Sequence, residues 1–316
     1  MEELNSKMSE MKVEKKPAKK IKIKKKLNVI CQVCKKSKTN KLCFCDKNLL
    51  TQINDHFHKN FDKQNSLNEL KHIFDKKLKN KKYIKTHLEH CGEEGHYIEK
   101  CLGLEHNAKN EPDFKGWEIK KKSNKISFGD WSSTSYLFKQ DNYMKSFNNI
   151  PFNITRNDYM KYFGNYNIDK KRYSWSGSCI PKYNEWNYNG TIIVIDNNNN
   201  IYIVYSNNKD TRNIKLPNLF TKQEYIILQY WKQENIKKFV ENKFNKNGFV
   251  IFEKNNENIY SKMLIGNTID FKKFINLFKN NKIIFDSGMY EGNTRNYSQF
   301  RSNCNIFTEL IIEEYC

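Results

Sequence analysis

The sequence predicts an α/β fold of the α+β kind, a mixed sheet flanked by helices. Three observations carry this. Only 38% of the 316 residues are apolar, yet 21 Phe, 18 Tyr and 5 Trp supply enough large side chains for a sizeable core. Segments with helical and with strand periodicity follow one another without strict alternation. With 5 Pro and 12 Gly the chain lacks the composition of low-complexity disorder. Its length suits one large domain or two small ones.

Met1–Lys26 holds ten Lys against four Glu and ends in KKPAKKIKIKKK, with too little apolar content to fold. It reads as a basic disordered tail with non-specific DNA affinity, or as a nuclear signal in a eukaryotic host. Leu27–Leu50 places Cys31, Cys34, Cys43 and Cys45 within CQVCKKSKTNKLCFC. Four such thiols can converge on one structural Zn²⁺ and staple a module too small to fold alone. The closing Cys-x-Cys is tighter than the usual gap, so ordinary thiols, or a set in which His56 or His58 replaces one Cys, remain alternatives.

From Thr51 to about Lys85, Leu67, Leu70, Ile73, Phe74 and Leu78 recur at helical spacing and leave His72 on the polar flank. A second helix is expected over Tyr97–Leu102 and a strand over Lys125–Phe128. Thr191–Ile195 and Ile201–Tyr205 flank an Asn-rich turn as a hairpin does. Gln223–Phe244 reads as one long helix, with Tyr225, Ile226, Leu228, Trp231, Ile236 and Phe239 on its buried face. A strand at Phe249–Glu253, a helix around Asp270–Phe278 and a strand at Lys282–Phe285 complete the pattern.

The formal net charge is +21, of which the first 26 residues account for +6. Basic charge is therefore spread along the chain, and a polyanionic partner such as DNA is favoured. The abundance of Asn, Lys and Ile also fits an AT-rich genome, which weakens arguments built on Lys alone. No apolar run approaches the ~20 residues of a spanning helix, and no secretory h-region is seen, so an intracellular protein without a membrane role is expected. Nine Cys without such a signal fit a reducing compartment.

Chemistry is concentrated in PDFKGWEIK, Pro112–Lys120. Trp117–Lys120 alternates as a strand does, with Glu118 and Lys120 on one face and Trp117 and Ile119 directed into a core. If Phe114-Lys115-Gly116 turns the chain back, Asp113 joins them. Two carboxylates can hold Mg²⁺ with positions left for water and phosphate. The ammonium orients the water and offsets charge growing on phosphorus. The base is either neutral Lys120 or a neighbouring phosphate; the sequence does not choose. A surface strand with a Glu118–Lys120 or Glu118–Lys122 salt bridge would leave the same pattern, which Lys-rich chains often satisfy by chance.

The neighbourhood adds to this. Gly95-His96-Tyr97-Ile98-Glu99-Lys100-Cys101-Leu102-Gly103-Leu104, then Asn107, then PDFKGWEIK, resembles in order the MvaI/BcnI family of type II restriction endonucleases. A weaker match lies at Phe285–Arg301, FDSGMYEGNTRNYSQFR. The resemblance implies a PD-(D/E)xK nuclease core related to the repair nuclease MutH, with Mg²⁺, replaceable by Mn²⁺, as cofactor. It implies hydrolysis of double-stranded DNA at a short site, leaving 5′-phosphate and 3′-hydroxyl ends. Asp113 and Glu118 become metal ligands, Lys120 the water-orienting residue and Glu99 a helix carboxylate facing the same site. A monomer is implied, with a cognate DNA methyltransferase as functional but not stable partner. On this reading residues 51–180 form the catalytic part and 181–316 the rest of the fold with a recognition lobe.

Within that lobe Arg295 and Arg301, with Asn293 and Asn296, suit direct readout of guanine and adenine, and Asp286 could accept from cytosine. Cys91, His96 and Cys101 mimic part of a zinc knuckle, but Leu88 stands where its first Cys belongs. His87, His90 and His106 read as solvent-facing or DNA-adjacent. Two other functions stay open: a MutH-like nicking enzyme, and a non-catalytic zinc-stabilised DNA-binding protein.

Overall fold

The computed structural model describes residues 47–85, 92–105, 109–139, 141–148, 153–214 and 216–316. The chain divides into two compact units, 1–72 and 73–316. The described part of the first lies in a helix, Lys47–Ile73. Leu67 and Leu70 on it are buried, and His72 is exposed as expected. Cys31, Cys34, Cys43, Cys45, His87, His90, Cys91, His106 and Asn107 lie outside the described residues.

In the second unit a π-helical turn, Phe74–Leu78, precedes a helix at Glu93–Leu102. That helix is a turn longer than its apolar period suggested. Glu93 and Glu94 extend it, acidic residues in a first turn being favoured by the helix dipole. The strands then run β1 (Trp117–Lys121), β2 (Lys125–Asp130), β3 (Ser135–Tyr136), β4 (Asn165–Asn167), β5 (Arg172–Trp175), β6 (Asn189–Ile195), β7 (Ile201–Asp210), β8 (Ile226–Trp231), β9 (Gly248–Lys254), β10 (Tyr260–Gly266), β11 (Ile283–Asp286), β12 (Met289–Tyr290), β13 (Gln299–Asn303) and β14 (Ile311–Tyr315). The sheets are ordered β1-β9-β10-β14, β3-β8-β7-β6, β11-β13-β2 and β12-β5-β4. β1 is parallel to β9, with Glu118 opposite Phe249 and Lys120 opposite Ile251. Strands from either side of residue 180 share sheets, since β5 pairs with β12 and β7 with β8.

One expectation fails. Gln223–Phe244 is not a single helix: Ile226–Trp231 is a strand and only Gln233–Phe244 is helical. All six residues of IILQYW are buried, because β8 lies between β7 and β3 with packing on both faces. A strand buried on both faces is a continuous apolar run, which periodicity alone does not separate from a helix. The other predicted elements form, most of them within a few residues of their expected ends; the helical stretch expected to about Lys85 stops at Leu78 after a π-helical turn. The Phe271–Lys279 helix, for example, is capped by the Asp270 side chain, which accepts from Lys273 N–H at 2.7 Å.

The core is mainly aromatic. Phe128 packs against Phe244, Phe274 and Phe307, and Trp131 against Phe239, Phe274 and Phe300. Both the Glu93–Leu102 and the Gln233–Phe244 helices pack on β1. That strand therefore receives side chains from two helices while its own end carries the candidate chemistry.

Candidate active site

A two-residue turn folds Asp113–Lys120. Lys115 and Gly116 have φ of 43° and 91°, and Phe114 and Trp117 exchange backbone hydrogen bonds across them at 3.0 and 2.7 Å. Left-handed geometry at both central positions matches the twist of flanking strands. Phe114 opposite Trp117 places Asp113 opposite Glu118, and cross-strand partners share a face. Asp113 Oδ2 accepts from the Ile119 N–H at 2.9 Å, which holds the carboxylate against the strand. Gly116 is required here. Asn247 donates to Lys115 O and Gly116 O, and a Cβ on Gly116 would fall 2.7 Å from Asn247 Nδ2.

Trp117, Glu118 and Ile119 are all buried, Glu118 to 1% exposure. The expected alternation holds for direction: Glu118 and Lys120 meet on one face, with Lys120 Nζ 2.6 Å from Glu118 Oε1. A second ammonium reaches the same oxygen, Lys243 Nζ at 3.0 Å, from the last turn of the Gln233–Phe244 helix. Lys120 also lies over the Phe244 ring, 5.8 Å from its centroid. Glu118 Oε2 is buried with no hydrogen-bond partner among the described residues. Burial pushes the Glu118 carboxyl above its ordinary range; Lys120 pulls it down, Asp113 adds to the rise, and Lys243 pulls it down again.

A buried carboxylate oxygen without a donor is costly unless something else completes it. A divalent cation at Oε2, shared with Asp113, would do so. Mg²⁺ in particular is commonly held by one or two carboxylates while keeping several waters, so the residues present fit that ion. Among the described residues no group of three or more His, Cys, Asp or Glu side chains forms a ligand cluster. Among the described residues the candidate donors are thus Asp113 and Glu118, with Glu99 half-buried on the Glu93–Leu102 helix.

The other predicted residues fall into two groups. Asp286, at the end of β11, faces Arg301 on β13, Nη1 to Oδ2 3.0 Å, and Arg301 also donates to Gln299. Arg295, 62% exposed, pairs with Asp130 at 2.8 Å. Asn293 and Asn296 are engaged by Arg156, which the sequence did not single out. Its guanidinium donates to Asn296 Oδ1 at 2.8 Å, to Arg295 O at 2.8 Å, and to both Asn293 O and Oδ1. The loop from Asn293 to Asn296 is therefore held in shape by one half-buried arginine. A signal for Arg156 existed, because only five of the 56 basic residues are Arg, and a chain that otherwise uses Lys places Arg where a planar fork is needed. Lys243 carried none, being one Lys among many on a helical face.

Comparison with known proteins decides the family. The LlaMI restriction endonuclease family profile matches residues 74–315. The chain belongs to that family. The type II restriction enzyme ScrFI of Lactococcus lactis subsp. cremoris is 36% identical over 241 residues, 72% of this chain and 89% of that protein. The fold is also that of the restriction endonuclease MvaI, solved as a complex with its cognate DNA substrate. The TM-score is 0.53 at 15% identity, over 79% of this chain and 97% of that one. Membership makes the chain a type II restriction endonuclease-like protein. No helix among the described residues is long and apolar enough to cross a membrane.

Proposed function

We propose that this chain is a Mg²⁺-dependent type II restriction endonuclease that hydrolyses both strands of a short DNA site to 5′-phosphate and 3′-hydroxyl ends, with Mn²⁺ able to replace Mg²⁺. The observation that carries it is the Glu118 carboxylate, buried beside Asp113 with Oε1 held by ammoniums and Oε2 without a donor. Asp113 and Glu118 would hold the cation. When bound, it supplies Lewis acidity to the phosphodiester and to a water molecule. Lys120, fixed at 2.6 Å from Glu118, orients that water and donates to the phosphate oxygens. Trp117 and Ile119 anchor the strand so that these groups keep their spacing. Glu99 acts from the adjoining helix on the same water network.

DNA recognition is assigned to Asp286, Arg301, Arg295, Asn293 and Asn296. The two arginines suit guanine edges or phosphates, and the amide groups of the asparagines suit base edges, that of Asn293 being buried in the DNA-free protein. The protein acts as a monomer inside the cell, alongside a methyltransferase that protects host DNA. The test is digestion of a plasmid of known sequence followed by run-off sequencing of the ends. Discrete cuts with Mg²⁺ or Mn²⁺, absent in EDTA and absent for Asp113→Ala with DNA binding retained, are expected. Cutting that persists in EDTA or survives Asp113→Ala overturns the assignment.

A further inference from the structure

Glu118 carries more positive charge on one oxygen than a buried carboxylate needs. Lys120, two residues along the same strand, already stands 2.6 Å from Oε1. Lys243 comes from a separate element and approaches that oxygen too, at 3.0 Å, its side chain only 15% exposed. A purely structural solution would spread donors over both oxygens, since each buried acceptor left alone is penalised. Here both ammoniums crowd Oε1 while Oε2 has no partner among the described residues. The last turn of a helix is a favourable place for an ammonium, because the helix dipole is negative there. Packing of that helix on β1 then fixes where the charge is delivered.

We infer that Lys243 sets the charge of the nuclease site: its ammonium balances Glu118 in the metal-free protein and so ties entry of the divalent cation to arrival of a DNA phosphate. This rests on the metal-dependent nuclease reading above. Asp113, Glu118, Lys120 and Lys243 bring two formal negative and two formal positive charges, and Glu99 on the adjoining helix adds one negative charge. Two ammoniums on one carboxylate oxygen weaken the attraction of this site for a divalent cation. When a phosphodiester enters, its negative charge offsets the surplus that the cation creates, so each ligand favours the other. Without Lys243 the protein side of the site would be one charge more negative, and the cation would bind before DNA.

The experiment is calorimetric titration of the full chain with Mn²⁺ in the absence of DNA, together with binding of a random-sequence duplex pool in EDTA. Lys243→Gln is compared with Lys237→Gln, an exposed charge change on the same helix. Lys243→Gln is expected to tighten Mn²⁺ binding by about tenfold or more, on the scale of one nearby unit charge, and to weaken metal-free DNA binding more than Lys237→Gln does. Lys243→Arg, which keeps the charge, should behave as the wild type. Near-UV circular dichroism checks the fold, and Lys243→Met replaces Lys243→Gln if that variant does not fold. Mn²⁺ binding by Lys243→Gln no tighter than by Lys237→Gln overturns the inference, as does tightening in Lys243→Arg. Failure of every form to take up Mn²⁺, with or without duplex DNA, overturns the metal-dependent reading as well.

Discussion

The hairpin at Asp113–Lys120 and the segment from Asp286 to Arg301 carry the same kinds of side chain in different states. In the hairpin one carboxylate is almost wholly buried and has an oxygen without a donor, so the site is incomplete as a protein structure. In the C-terminal segment Asp286 pairs with Arg301, Arg295 with Asp130, and the carbonyl oxygens of Asn293 and Asn296 with Arg156. Those groups are partly exposed and mostly paired within the protein, although Asn293 Nδ2 is buried without a hydrogen-bond partner among the described residues. On the proposed reading the first arrangement takes up a cation at the oxygen left without a donor, whereas the second would exchange internal partners for bases or phosphates. Exchange suits discrimination, because a wrong partner leaves a polar group without its bond.

The comparison can be broken at four points, taken from the largest expected effect down. Glu118→Ala should lower cleavage by about a thousandfold or more, several kcal/mol of transition-state stabilisation, while metal-free DNA binding persists. Gel assays with Mg²⁺ and filter binding in EDTA read the two separately. Arg156→Ala removes four charge-assisted hydrogen bonds from the Arg295 loop. It should cost about 2–3 kcal/mol in urea unfolding and relax the choice of cleavage site; unchanged site preference would separate that loop from recognition.

Gly116→Ala sharpens the other side. The positive φ and the approach of Asn247 should cost about 1–3 kcal/mol of stability and lower cleavage by moving Asp113 away from Glu118. The smallest effect is at the helix that presents Arg156. Thr155 and Asp158 form a capping box there, so Thr155→Ala should cost about 1 kcal/mol. Hydrogen bonds from the Thr155 side chain and backbone hold the Asp158 carboxyl below its ordinary value. Its contribution is therefore present above the unfolded-state value and lost as pH falls through the depressed folded one. Unfolding of wild type and Thr155→Ala followed from pH 6 to pH 2, a range set by the usual carboxylate values of roughly 4, should show the gap narrow toward the acid end to the part carried by the Asp158 N–H to Thr155 Oγ1 bond, which does not titrate.

Legibility in the sequence followed how local each cause is. Asp113, Glu118 and Lys120 were readable because a two-residue turn and a strand of period 2 bring them together within eight residues. The helix at Phe271–Lys279 was readable from its cap at Asp270 and its apolar stripe. β8 was not, because IILQYW obtains its conformation from hydrogen bonds to β3 and β7, far along the chain. Neither was Lys243, 125 positions from Glu118 by residue number. Arg156 was missed for the same reason, its partners lying 137 to 140 positions away.

By itself the sequence determined the chemical kit and the local geometry: a basic, aromatic-rich chain, a carboxylate-bearing hairpin and an Arg-containing C-terminal segment. These depend on side-chain identity, on short periodicities and on turn sterics, all of which act over a few residues. Tertiary structure alone decided that Glu118 is buried, that a helix from the second half of the chain lends it another ammonium, and that the Asn293–Asn296 loop is clamped by Arg156. Burial and long-range pairing are properties of the assembled core, where desolvation makes each charge depend on partners that no local pattern names.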